Sequence, residues 1–82
     1  MLMPVNNWSI REQREGLTIW QHDQTSARVH AVQLHAWWLI FVTKPDIRGR
    51  LELGFESSAR AAERSARNFM VANEHGGDEV AA

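Results

Sequence analysis

Four histidines, His22, His30, His35 and His75, are the residues of this chain best suited to metal or proton chemistry. His30 and His35 are five apart, which places them on opposite faces of a strand and also diverges on a helix. His22 and His30 could approach across a hairpin with Asp23 as the nearest further ligand, but two imidazoles alone do not make a site. Ser9, Ser26, Ser57, Ser58 and Ser65 sit in no strand–turn–helix elbow of the kind that activates a hydroxyl. Glu12 and Glu15 are close in sequence, but nothing in the sequence buries one of them to tune it as an acid or base. Gly76-Gly77 follows no strand, so it is not a phosphate-binding loop. With no cysteine there is neither thiolate ligand, thiol nucleophile nor disulfide. A chain of 82 residues must also spend most of its apolar side chains on its own core, which leaves little for a cleft. The expectation is a protein that is not an enzyme, with no metal and no cofactor.

Recognition chemistry is better represented. Eight of the nine basic residues are Arg, and Lys44 is the only lysine. The planar guanidinium suits phosphates, carboxylates and aromatic faces. Arg11, Arg14, Arg28, Arg48 and Arg50, with Trp20, therefore form a candidate DNA- or RNA-binding set on a sheet. Glu12, Glu15, Asp46 and Glu52 interrupt its positive field, and the net charge is −1. Nucleic acid is accordingly the alternative partner and not the first choice.

Tryptophan gives the stronger lead. Trp37-Trp38-Leu39-Ile40-Phe41-Val42 is apolar on both alternating faces of a strand and asks for cover on both sides. The chain offers one convincing helix to supply it. The expected contact face is the one away from that helix, with Trp38, Trp20, Ile40 and Val42 as its partner-binding residues.

The elements that carry these residues follow from periodicity. Trp8–Glu12 alternates as a strand, although Ser9-Ile10-Arg11-Glu12 also fits a capping box for a short helix ended by Gly16. Leu17–His22 is a β-branched and aromatic strand, and Asp23–Ser26 carries turn residues. Arg28–Thr43 is one bent strand or two, with a helix over Ser26–His35 as an alternative. Lys44–Gly49 is a loop. In the strand Arg50–Phe55, Leu51, Leu53 and Phe55 alternate with polar residues and share one face. From a cap at Ser57, an amphipathic helix sets Ala59, Ala62, Ala66, Phe69, Met70 and Asn73 against Arg60, Glu63, Arg64 and Arg67.

The predicted architecture is α+β, an antiparallel sheet of three to four strands with one C-terminal helix packed on one face. Residues 1–7 read as a flexible lead-in, 8–75 as a single domain and 76–82 as a disordered acidic tail. The start lacks a basic and apolar leader, and the apolar run Ala36–Val42 is too short to span a bilayer. The sequence thus predicts a cytoplasmic interaction module with no membrane partner. It would form a homodimer or dock on a larger protein, as small bacterial or phage accessory, regulatory or inhibitory proteins of this size do.

Overall fold

The computed structural model describes residues 5–74. Its elements are β1 (Trp8–Arg14), β2 (Leu17–His22), β3 (Arg28–Leu34), β4 (Trp37–Lys44), β5 (Ile47–Glu56) and α1 (Ala59–Ala72). The strands pair antiparallel with their chain neighbours in one sheet of order β1-β2-β3-β4-β5, and α1 packs across one face. The class is therefore α+β with one C-terminal helix, but the sheet has five strands, not three to four. The extra strand arises because the apolar stretch after Arg28 folds back at His35-Ala36, between β3 and β4. A two-residue hairpin turn needs left-handed backbone, which Gly, Asn or Asp normally announces. Here His35 adopts it, at φ 58°, and the turn leaves no familiar mark in the sequence. The helices weighed for residues 9–15 and 26–35 do not form, since both stretches supply ladder strands. Of the segment read as a lead-in, Val5 packs against the core and Asn7 accepts a hydrogen bond from the Asp23 N–H at 2.8 Å. The segment read as an acidic tail lies outside the described residues.

Directly opposed residues of neighbouring strands point to the same side, so the register assigns every side chain to a face. One rung runs Ile10, Trp20, Val29, Val42 and Leu51, and the next carries Thr18, Ala31, Ile40 and Gly54. This is the covered face. Val29, Ala31, Ile40 and Val42 are buried there with Ala62, Ala66 and Met70 of the helix, and Trp20, Trp38 and Leu53 pack around them. Small side chains at Ala31, Ala62 and Ala66 let the helix lie close to the sheet, while Ile40 and Met70 fill the remaining volume. Ser58, and not Ser57, caps the helix by accepting the Ala61 N–H at 3.1 Å.

The far end of the helix is latched to β1 and β2. The Trp8 indole N–H donates to the Asn73 carbonyl at 3.1 Å, and its ring meets His22 and Phe69 edge-on. His22 is fully buried. Its Nδ1 accepts the backbone N–H groups of Gln24 and Thr25, so Nε2 carries the proton and donates to the Glu74 carbonyl at 2.6 Å. The most enclosed imidazole of the described chain is thus a structural clasp.

Candidate functional site: the open face of the sheet

Among the described residues no helix lies on the opposite side of the sheet, and the register lays out its residues rung by rung. One rung runs Glu12, Ile19, His30, Phe41 and Glu52 from β1 to β5. The next runs Arg14, Leu17, Val32, Leu39 and Phe55, and Leu34 stands opposite Trp37 beyond it. Trp37 and Phe55 are 54% and 57% exposed, whereas Leu39 between them is only 5% exposed and does not belong to the cluster under the helix. A second apolar centre therefore sits on this side, with Leu39 buried among its neighbours and Trp37 and Phe55 exposed beside it.

Two irregularities build the patch. Ile40 pairs with Gly54 but Phe41 pairs with Glu52, so Leu53 is an extra residue in β5. Such a bulge reverses the alternation beyond it. Gly54 takes φ 148° at this point, a conformation that a side chain would resist. As a result Leu51, Leu53 and Phe55 do not share a face as their spacing suggests: Leu53 joins the core and Phe55 turns to the open side. A matching shift between Ile10 and Glu12 in β1 puts Glu12 and Arg14 on the open side at the other edge.

The rim is polar and internally neutralised. Arg14 pairs with Glu12 at 3.1 Å on β1, and Arg50 with Glu52 at 3.1 Å on β5. Arg50 also lies over the Phe41 ring, 4.9 Å from its centroid. Arg28 donates from Nε to the Gln21 side chain at 2.9 Å. In the middle of the face His30 stacks on Phe41, with centroids 4.5 Å apart and planes 7° apart, and its Nε2 lies 2.9 Å from the Thr43 hydroxyl. Burial, and then the Arg28 charge, pushes the His30 pKa below its ordinary 6.5. The unfolded chain takes up this proton near pH 6.5 and the folded chain only at lower pH. The stability that depends on neutral His30 is therefore complete above pH 6.5 and declines as pH falls below it. His30→Phe, followed by denaturant unfolding from neutral pH down to about pH 5, should flatten this decline. An unchanged profile in that variant would assign the decline to other groups.

The residues named from sequence are divided by the sheet. Trp20, Trp38, Ile40 and Val42, expected on the free face, lie on the covered one: Ile40 and Val42 are buried, and both tryptophans pack against the core. The parity of β4 was legible, but the side chosen by the helix was reversed. Leu17, Ile19, Val32, Leu34, Trp37, Leu39, Phe41 and Phe55 occupy the open face instead. A usable signal was present in and just before β3, where Ala27, Val29 and Ala31 alternate as smaller residues suited to a close helix. Of the arginines, Arg14, Arg28 and Arg50 reach the open face, while Arg11 sits at the β1 bulge and Arg48 beside the β4–β5 turn, so no continuous cationic surface forms. His22 and His30 point to opposite faces and cannot share a ligand. Among the described residues, no three metal-ligating side chains come together and no helix is long and apolar enough to cross a membrane. No protein-family model matches the chain, and no curated protein or solved structure is significantly similar to it.

Proposed function

We propose that this chain is a non-catalytic protein-interaction domain whose open sheet face holds an apolar, near-neutral protein surface. The observation that carries this reading is the exposure of Trp37, Phe55 and Leu34 around a buried Leu39 on the side without a helix. An apolar centre ringed by paired charges is how protein interfaces are built, and a patch of this extent on a small domain favours a partner over bare solvent. The rim favours a partner without strong net charge. Glu12 and Glu52 already hold Arg14 and Arg50, so a strongly charged surface would have to break both pairs.

Stacking of bases on Trp37, Phe41 and Phe55 is the rival reading, as aromatic residues on an open sheet serve single strands well. Carboxylates at both ends of the central rung oppose it, because a phosphate backbone needs uncompensated cations along its path. Photo-crosslinking inside the native host separates the two. A photoreactive residue in place of Trp37 should give discrete protein adducts, while one in place of the exposed Arg64 on the outer side of α1 should give none. Nucleic-acid adducts from position 37, or no adduct, would contradict the proposal.

A further inference from the structure

Resting on that reading, we infer that the surface covering the open face is a second copy of this chain, so that two sheets pack face to face as a β-sandwich. The first argument is area. Five strands about 4.8 Å apart, with same-side residues about 6.8 Å apart along each strand, give a face of roughly 24 by 20 Å. Two such faces remove on the order of 1,000 Å² from solvent as flat area alone, and protruding rings add to it, which reaches the lower bound for a specific interface.

The second argument is charge. Each edge of the face carries one cation and one carboxylate, Arg14 with Glu12 and Arg50 with Glu52, already paired within its own strand. A face neutralised in this way meets its own copy without like-charge repulsion at either edge. Arg28, the remaining cation of the face, sits on the central strand beside Gln21. The third argument is shape. Two twisted sheets of the same hand stack about 10 Å apart through contacts between their inner side chains, and Trp37 and Phe55 keep more than half of their surface free for such contact.

Sedimentation equilibrium of the purified chain tests this. The wild type should be dimeric at micromolar concentration and remain so as salt rises, since apolar burial strengthens where ionic contacts weaken. Trp37→Glu and Phe55→Glu should each raise the dimer Kd at least about 30-fold, as expected for an interface anchor. The circular dichroism spectrum should be unchanged and unfolding should stay cooperative, because both side chains are more than half exposed in the single copy. Leu34→Lys gives a further readout at the edge of the same patch if either ring replacement impairs folding. A wild type that stays monomeric to millimolar concentration overturns the second-copy inference, and crosslinks from position 37 to a different protein would then leave the interaction reading standing. A dimer that survives all three substitutions also overturns it, because the seam must then lie elsewhere.

Discussion

Ile40→Ala should lower the unfolding free energy by about 2–5 kcal/mol, whereas Trp37→Ala, three residues away on the same strand, should change it by less than about 1 kcal/mol in the monomer. The contrast follows from the faces of β4. Ile40 is fully buried in the cluster that the sheet forms with Ala62, Ala66 and Met70, so its loss leaves a cavity there. Trp37 is the larger side chain, but more than half of it already meets water in the single copy. Denaturant unfolding of both variants at concentrations below self-association measures the two effects. An inverted order would mean that the helix covers the other side of the sheet.

His22→Phe is expected to cost about 2–4 kcal/mol although it keeps an aromatic ring against Trp8. Phenylalanine neither accepts the Gln24 and Thr25 N–H groups nor donates to the Glu74 carbonyl, so the turn after β2 and the end of α1 lose partners together. Amide exchange should then quicken around residues 70–74 and in the 23–26 turn, while the β3–β4 ladder stays protected. Uniform acceleration across the whole sheet would instead show that His22 supports the core at large and does not act as a local clasp.

What could be read from the sequence was whatever depends on local periodicity. The C-terminal helix, with its start placed one residue early, its Ala62, Ala66 and Met70 stripe, and the two-sided apolar character of Trp37–Val42 all follow from spacing. Whether Arg28–Thr43 was one strand or two stayed open, because His35 makes a turn that histidine seldom marks. The position of Phe55 was hidden because a bulge at Leu53-Gly54 reverses the alternation, an event that depends on pairing with β4 and not on β5 alone. The choice of covered face was a tertiary question. It was settled where Ala31, Ala62 and Ala66 allow close approach, and this turned Trp38 inward and Trp37 outward. That a second apolar face exists was legible; which residues form it required the register.

The most direct measurement follows methyl resonances of the chain as it is diluted from millimolar to submicromolar concentration. Ile19, Val32, Leu34 and Leu39 should shift together along one concentration dependence, while Val29, Ile40 and Val42, equally apolar but under the helix, should hold still. Shifts confined to the second group would contradict the assignment of the open face as the surface where this protein makes its contact, and no concentration dependence in either group would contradict a second copy as the occupant of that face.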